Sequence, residues 1–417
     1  MNLPTLARAA AFLLASLTVS AASADMLTSA EMRVLDRTSA LVERYFFSPA
    51  ALPAFREVVA ELKAESAAGD AASLDATIDE ALASLAMSHT ARYTPDEVDY
   101  YELADVFRYS IRQDARRLFP PEGRVGYEGI GIASKVIGGK TFVTDVYNGG
   151  PAADAGVMAG DEIVSVDGAP FAAIGSFKGK AGDIVQVALR RTADAEPIVA
   201  AVKVEKLQPE ETFLEAISDS VRVIDRDGRK IGIVHLWMYT SDEVTGILAS
   251  ELGGGRLADV DGLILDLRSR WGGAPADAAE MFVGGSAPMT MTGRDGETRY
   301  VNTRWSKPVV GVIDEGSRSG MEILAYALKD NAIPLIGTTT AQDVVAGTAY
   351  LLPDDSLLLL AVSDVHVDGG RLEGRGVDPD IVVPFDIRYA AGADPQMDAA
   401  MVEMDRVLEE EEGASVN

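Results

Sequence analysis

The chain has 417 residues, of which 47% are hydrophobic, and a formal net charge of −28. This length and composition are typical of a globular protein with two or three hydrophobic cores. A chain this acidic is unsuited to nucleic acid or an anionic membrane as a partner. Because it contains no cysteine, disulfides, a thiolate nucleophile and zinc–thiolate sites are excluded.

The first residues, MNLPTLARAAAFLLASLTVSAASADM, follow the pattern of a secretory signal peptide. A short polar stretch precedes an apolar run over residues 9–19, and small residues follow at 22–24. We predict a signal peptide over 1–24 and an exported protein, periplasmic or secreted. The run is shorter than the roughly 20 residues of a spanning helix, and no later run is long enough, so we expect no membrane span in the mature chain.

Residues 25–110 are predicted to form a helical N-terminal segment. Apolar residues recur there at helical spacing; Val34, Leu35 and Leu41, for example, share one face. The stretch Thr94-Pro95-Asp96-Glu97 predicts the start of another helix, with proline at the first helical position and acids in the first turn.

The middle and the end of the chain have different patterns. Over 126–207, short β-like runs such as KTFVTDV and DEIVSVDG are separated by glycines, which predicts a small, mostly β domain. Over 208–390, apolar runs such as GLILDL and PVVGVI alternate with helices predicted at 275–282 and 320–329, which indicates an α/β layer around a buried sheet. Residues 391–417 contain the run EEEE and are predicted to form an acidic, solvated tail.

Two strings in the middle domain carry a specific signature. GIGI at 129–132 and VYNGGPAADAGVMAGDEIVSVDG at 146–168 resemble the carboxylate-binding loop and the ordered glycine signature of PDZ domains. In such a domain, backbone N–H groups take the terminal carboxylate of a peptide that adds a strand to the sheet edge. By this resemblance, the residues that bind the C-terminal end of a polypeptide are Gly129, Ile130, Gly131 and Ile132.

Four stretches outside the middle domain also belong together. SHTARYTP at 88–95, DGLILDLRSRWGG at 261–273, DEGSRSGMEI at 314–323 and LEGRGVDPDIVV at 372–383 resemble serine peptidases of the carboxyl-terminal processing and tricorn type. The resemblance implies an α/β peptidase core of the crotonase and Clp type, with the PDZ domain inserted in it and a helical segment before it. It also implies an endopeptidase that acts on polypeptide substrates and needs no metal or organic cofactor.

The resemblance places the nucleophile at Ser319. The residues themselves agree with this position, since 308–313 is predicted to be a buried strand and an apolar helix face begins at Ile323. Ser319 therefore lies at a strand-to-helix turn, where free N–H groups stabilise developing negative charge. Taken alone, such a serine would more often be a helix cap, and only the other three stretches favour the nucleophile. Ser317 is expected to be a capping or turn residue.

The general base is less obvious. Processing peptidases pair the serine with a lysine. The corresponding stretch of this sequence, GTTTAQDVVAG, contains no lysine, and Asp343 occupies the position of the family lysine. The tricorn branch uses a histidine, a serine just before it and a glutamate near the C-terminal end; these positions match His89, Ser88 and Glu373. A histidine with a pKa of about 6.5 takes a proton near neutral pH. A carboxylate acting through Ser88 or a water can fix its tautomer.

The remaining assignments concern the groups around this set. Gly272 and Gly320 are the expected backbone donors to an oxyanion. The family usually has Asn or Gly where Arg270 and Trp271 stand, which leaves the donor less certain than the nucleophile. His235 and His366 are expected to have structural roles, and Asp266 is expected to form a structural ion pair with Arg268.

Two other functions are compatible with the sequence. The missing lysine and the altered glycine loop would suit a catalytically inactive PDZ scaffold, which a serine-directed phosphonate would not label at Ser319. Retinoid-binding relatives of the same fold suggest a protein that binds hydrophobic ligands, which would retain lipid on purification and show no turnover.

Overall fold

The structure of the protein is a computed structural model. The predicted signal peptide at 1–24 and Arg270 lie outside the residues that it describes. Within those residues, no helix is both long and apolar enough to cross a bilayer. The described residues are 26–69, 72–268, 271–275, 277–283, 289–294, 296–301 and 305–415.

The N-terminal region is mainly helical. Its elements are α1 (Ser29–Tyr45), α2 (Leu52–Ala68), α3 (Leu74–Ala83), β1 (Ala91–Tyr93), α4 (Val98–Val106) and α5 (Arg112–Leu118). A capping box of Thr28 and Glu31 begins α1, which is one reason the chain turns helical there. The first three helices bury their apolar faces against one another and against residues 357–361.

The helix start predicted at Thr94 is wrong by several residues. The backbone N–H and the hydroxyl of Thr94 both donate to the Glu97 carboxylate, at 2.6 and 2.8 Å, and close a turn. The helix α4 therefore begins only at Val98. Glu97, which suggested the first turn of a helix, instead stabilises the turn that precedes the helix.

The middle of the chain forms a five-stranded antiparallel sheet, in the order β3-β4-β5-β6-β7, and a separate pair, β2 with β8. The strand β3 lies at an edge of the sheet, with β4 as its neighbour. Alternate residues of β6, such as Val185 and Val187, enter the core of this domain. The elements are β2 (Tyr127–Gly129), β3 (Ile132–Ile137), β4 (Lys140–Val146), α6 (Pro151–Asp154), β5 (Glu162–Val166), β6 (Ile184–Arg190), β7 (Ile198–Lys203) and β8 (Glu205–Leu207).

The rest of the chain surrounds a six-stranded sheet in the order β20-β15-β14-β11-β10-β9, parallel except for the β9–β10 pair. The strands β16 and β17 join β1 in a second, antiparallel sheet. The elements are α7 (Pro209–Ser220), β9 (Arg222–Arg226), β10 (Arg229–His235), α8 (Asp242–Gly253), β11 (Gly262–Asp266), α9 (Glu280–Val283), β12 (Met289–Thr292), β13 (Thr298–Val301), β14 (Val309–Ile313), α10 (Gly320–Asp330), β15 (Leu335–Gly337), β16 (Ala346–Leu351), β17 (Leu357–Ser363), β18 (His366–Val367), β19 (Gly370–Arg371), β20 (Ile381–Val382) and α11 (Pro395–Ser415).

The central strands are buried on both faces, as their continuous apolar runs predict. In β11, Ile264 points to the side covered by α11, whereas Leu263 and Leu265 point to the side that carries α7, α8 and α10. Two helices were predicted between these strands. The second corresponds to α10, but the helix predicted over 275–282 is reduced to α9, because residues 277–279 form turns.

The predicted acidic tail is largely a helix that belongs to the core. Met401 and Met404 of α11 are buried against the six-stranded sheet. The contact is close enough that a Cβ on Gly262 would lie 2.4 Å from the Met404 sulfur. The glutamates at 409–412 are exposed, and they lie in the C-terminal part of this helix.

The segment that leads into α11 packs against the middle domain. The Tyr389 hydroxyl donates to Glu162 at 2.6 Å and accepts from Lys140 at 2.7 Å, and its ring meets Phe142 edge-on at 5.0 Å. A Cβ on Gly160, whose φ is +90°, would lie 2.3 Å from the carbonyl oxygen of Ile387. The middle domain is thus attached to the C-terminal segment as well as to its own neighbours in sequence.

Candidate active site

Ser319 lies where the buried strand β14 gives way to α10. It is the residue before the first helical position, with a φ of +56°, a conformation that a non-glycine residue adopts only under local constraint. Its N–H donates to the carbonyl of Asp343 at 3.0 Å and to the carboxylate of Glu322 at 3.2 Å. These two bonds account for the constraint and leave the side chain half-buried at the edge of a cavity.

The glycine loop after β11 lies directly against this turn. A Cβ on Gly272 would lie 2.3 Å from the Ser319 Cβ, and one on Gly320 would lie 2.5 Å from the backbone nitrogen of Ala274. Only glycines allow two backbones to approach this closely. The two predicted oxyanion donors, Gly272 and Gly320, are therefore both next to Ser319.

His89 is connected to Ser88 and Glu373 in a chain of hydrogen bonds. The Ser88 hydroxyl lies 3.0 Å from His89 Nδ1 and donates to Glu373 Oε2 at 2.8 Å. Glu373 also accepts the backbone N–H groups of Ser88, at 3.0 Å, and Val344, at 2.6 Å. Because the single hydroxyl proton of Ser88 goes to Glu373, Nδ1 must carry the proton that it donates to Ser88. The other ring nitrogen, Nε2, is left with a free lone pair.

The surroundings of His89 favour its neutral form. Burial of the imidazole, and after it the positive charge of Arg318, lower the pKa of His89 to about 4, against the opposing influence of Glu373. A pKa of 6.5 was expected from the sequence, where the burial was not visible. Neutral imidazole is thus the form present at neutral pH.

Ser319 and His89 line the same cavity, which has a volume of about 250 Å³. No hydrogen bond joins these two described residues. Apolar side chains supply much of the remaining lining, among them Leu103, Val106 and Leu359. The structure thus brings together the predicted residues Ser88, His89, Gly272, Ser319, Gly320 and Glu373.

Sequence reasoning missed the role of Glu322. This side chain is fully buried and accepts hydrogen bonds from the N–H groups of Ser319, Gln342 and Asp343, at 3.2, 2.9 and 2.7 Å, and from the Thr340 hydroxyl. It ties the first turn of α10 to residues 340–343. In the sequence, this role could have been predicted from the position of Glu322 three residues after Ser319, which is the spacing of a capping box.

Arg318 and Asp343 were not recognised as a pair. The guanidinium donates to Asp343 at 2.9 Å and lies 5.7 Å from the centre of the Trp271 ring. Burial raises the pKa of Asp343, Arg318 opposes this, and Glu373 reinforces it. The position of the family lysine is therefore occupied by an acid that is already paired with an arginine. In the sequence, the opposite charges of Arg318 and Asp343 are the feature from which this pair could have been predicted.

The predicted PDZ residues lie together at one edge of the middle domain. Gly129 ends β2, Ile132 begins β3, and Gly131 between them has a φ of +76°. The carbonyls of Ile130 and Gly131 accept from the backbone N–H groups of Ala152 and Tyr147, at 2.9 and 3.0 Å. These bonds fix the loop beside the free edge of β3.

The other residues singled out in the sequence have structural contacts. The Ser317 hydroxyl donates to the Leu267 carbonyl at 2.8 Å within a turn. His235 contacts the Arg268 carbonyl through Nε2, Arg268 pairs with Asp266 at 2.7 Å, and His366 is exposed in β18. Within the described part of the chain, no group of three or more histidine and acidic side chains could hold a metal ion.

Two parts of the chain match known protein families. Residues 230–383, which contain Gly272, Ser319 and Glu373, match peptidase family S41. Residues 142–191 match the PDZ domain. The predicted fold class, an S41 α/β core with a mostly β PDZ domain inserted and helices before it, is confirmed.

Several S41 relatives are processing proteases by name. Carboxy-terminal processing proteases CtpA and CtpB of Bacillus subtilis (strain 168) are 26% and 25% identical to this chain over 296 and 302 residues. The alignments cover 67% and 68% of this chain and 61% of each relative, so the chain spans about three fifths of their length. The solved structure of the tricorn protease has a TM-score of 0.51 at 18% identity, over 91% of this chain and 37% of that one, which shows a common fold.

Proposed function

We propose that this S41 protein is a serine endopeptidase that cleaves polypeptides through an acyl-enzyme. Ser319 is the nucleophile, and His89 is first the general base and then the general acid. Ser88 and Glu373 are positioning residues. The observation that carries the proposal is the hydrogen-bonded chain from Glu373 through Ser88 to His89, which ends in the cavity that Ser319 lines.

The tautomer of His89 suits this role. With its proton on Nδ1, the imidazole has its lone pair on Nε2, the atom that must take the Ser319 proton as Oγ attacks the substrate carbonyl. The imidazolium then gives this proton to the leaving amine, and water hydrolyses the ester by the same route. Glu373 stabilises the imidazolium through Ser88. Hydrogen bonds of this kind often tighten only when substrate binds, so the lack of a hydrogen bond between the described Ser319 and His89 side chains is compatible with catalysis.

The N–H groups of Gly272 and Gly320 would stabilise the oxyanion. Gly320 is the first residue of the eleven-residue helix α10, where N–H groups have no partner within the helix. The helix dipole adds positive potential at the same place. Since both glycines lie against Ser319, they are the nearest backbone donors to an attacked carbonyl.

The PDZ domain would bind the C-terminal ends of substrates. The free edge of β3 can accept a peptide as an added strand, and the loop from Gly129 to Ile132 lies at its start. The names of the Bacillus subtilis relatives favour carboxy-terminal processing as the activity. With the leader pattern at 1–24, we place this activity outside the cytoplasm, in the periplasm or the medium.

The direct test is hydrolysis of an unfolded, casein-like protein by the chain without residues 1–24, from pH 4 to 9, beside Ser319→Ala and His89→Ala. We expect the wild type to cleave and both variants to lose the activity. If His89→Ala keeps most of the rate, His89 is not the base. If the wild type is inactive and Ser319 is not labelled by a serine-directed phosphonate, the inactive scaffold replaces the peptidase.

The apolar lining of the cavity favours one second candidate, the binding of a hydrophobic ligand. Leu103, Val106, Phe107 and Leu359 would contact an apolar chain as well as they contact a substrate side chain. Mass spectrometry of the purified protein distinguishes the two, because a binding protein retains lipid and shows no turnover.

A further inference from the structure

One charged side chain stands out in the cavity beside Ser319. Among the described residues that line it, all are apolar, small or neutral at pH 7 except Arg318, the residue directly before the nucleophile. A permanent cation in a largely apolar wall is expensive to bury and interacts strongly with an anion that enters. The partly buried guanidinium and the proposed nucleophile therefore lie next to each other in this cavity.

The guanidinium is only partly used by the protein. It has five N–H donors in a planar fork, and within the described residues it makes one hydrogen bond, from Nη2 to Asp343. Its central carbon, Cζ, lies over the Trp271 ring at 5.7 Å from the ring centre, a contact that uses none of the donors. The side chain is 26% exposed and can be reached from the cavity.

The two nearby carboxylates, of Glu373 and Asp343, differ in how many hydrogen bonds they already accept. Glu373 accepts three hydrogen bonds from Ser88 and Val344 and belongs to the histidine chain. Asp343 makes one side-chain bond, to Arg318, and is 30% exposed. Among the described residues, Arg318 therefore pairs with one accessible carboxylate, Asp343, which can share it with a carboxylate of the substrate.

We propose that Arg318 is a specificity-determining residue that selects substrates with a carboxylate next to the scissile bond. The inference rests on the proposed peptidase function and deepens it. The carboxylate belongs either to an aspartate or glutamate side chain or to the free end of the substrate, since both present the same two oxygens to the guanidinium fork. Neighbouring residues of an extended peptide are about 3.5 Å apart, so a side chain that adjoins Ser319 reaches only those that flank the attacked bond.

A bound carboxylate would also act on His89. Arg318 is one of the groups that lower the pKa of that imidazole, so neutralising it favours the protonated form that the reaction produces. A substrate of the right kind would thereby strengthen the base that cleaves it.

The experiment compares kcat/KM for pairs of blocked, amidated peptides that differ only in Glu against Gln at each position flanking the cleaved bond. A second pair has neutral side chains and differs in a free or amidated end near that bond. We expect the wild type to prefer one acidic member about tenfold, which corresponds to about 1.4 kcal/mol. In Arg318→Gln the ratio falls to about one. Because each ratio is taken within one protein, a general loss of activity cancels.

Four further proteins complete the test. Arg33→Gln removes the same charge from the exposed face of α1 and should keep the wild-type ratio. Asp343→Asn removes the internal counter-ion and should raise the ratio. In Ser319→Ala, fluorescence anisotropy should show tighter binding of the acidic peptide, and the double variant with Arg318→Gln should lose that difference.

The outcomes separate the two proposals. Ser319-dependent cleavage with equal rates for acidic and neutral peptides would overturn the role of Arg318 and leave the peptidase intact. A preference that survives in Arg318→Gln would also overturn it. If no peptide is cleaved, the peptidase proposal fails, and the binding difference in Ser319→Ala alone decides whether Arg318 recognises a carboxylate.

Discussion

The serine half of the site, residues 317–322, is built within one strand, turn and helix, whereas the histidine half joins Ser88 and His89 to Glu373, 285 positions away. Each half depends on a glutamate that collects hydrogen bonds: Glu322 for the serine and Glu373 for the histidine. The serine half follows from local chain geometry, but the histidine half exists only once the whole fold has formed. A small shift of one half against the other would therefore change the distance between nucleophile and base without disturbing either half.

The largest effect should come from Gly272→Ala, which attacks the serine half directly. The new methyl group would lie 2.3 Å from the Ser319 Cβ, so the turn or the glycine loop must move. We expect kcat/KM to fall at least about a thousandfold, as when oxyanion donors are lost. Gly246→Ala in α8, where no atom is within 4 Å, is the matched control and should keep full activity. A folded Gly272→Ala protein with wild-type rates would contradict the oxyanion assignment.

Glu373→Gln tests the histidine half. The amide can accept the Ser88 proton through only one oxygen, and its NH₂ group faces backbone donors, so the tautomer of His89 is no longer fixed. We expect kcat to fall about a hundredfold, within the range attributed to general bases. Glu315→Gln makes the same chemical change at an exposed position in the turn before Ser319 and should be nearly silent. Equal activities of the two variants would remove Glu373 from the mechanism.

Glu322→Gln should show that Glu322 contributes to stability, whereas Glu373 contributes to catalysis. It breaks up a fully buried set of hydrogen bonds from three backbone N–H groups and Thr340. We expect the free energy of unfolding in urea to fall by about 2 kcal/mol, since bonds to charged groups have about this value. A loss of activity without loss of stability would mean that Glu322 acts on the chemistry instead.

The smallest effect should appear in the pH profile. His89 must be neutral to act as a base, so activity rises with pH through its pKa of about 4 and should already be near its plateau at pH 6. Because the Glu373 charge raises this pKa, Glu373→Gln should move the acidic limb of kcat/KM to lower pH. A limb near pH 6.5 in the wild type would mean that the imidazole is more solvated than the structure indicates.

The position of Ser319 at a strand-to-helix turn could be predicted from physics, whereas its role as nucleophile and the whole histidine half followed only from resemblance. An apolar run followed by a helical pattern is enough to place Ser319 at a turn, because both elements are local. Nothing in the spacing of His89 and Glu373 requires them to meet. Similarly, the pairing of Arg318 with Asp343 depends on the fold that brings 318 and 343 together.

Errors in the prediction of elements also have local causes. The helix expected at Thr94 failed because Glu97 caps a turn instead of a helix, and the helix expected over 275–282 was shortened by turns. The acidic C-terminal segment was judged by its glutamates, but its methionines, such as Met404, decide where it packs. Charge composition describes the outer side of α11 and says little about the inner one.

The contact of Tyr389 with the PDZ domain limits how this protein can be redesigned. The segment around Tyr389 joins the sheet of the peptidase core to α11, and it also seals one side of the PDZ domain through Glu162, Lys140 and Gly160. A foreign PDZ domain inserted at the same junctions would lack these partners and would sit loosely. Domain exchange among relatives should therefore carry the 384–393 segment with the PDZ domain, as one module made of two separate stretches of chain.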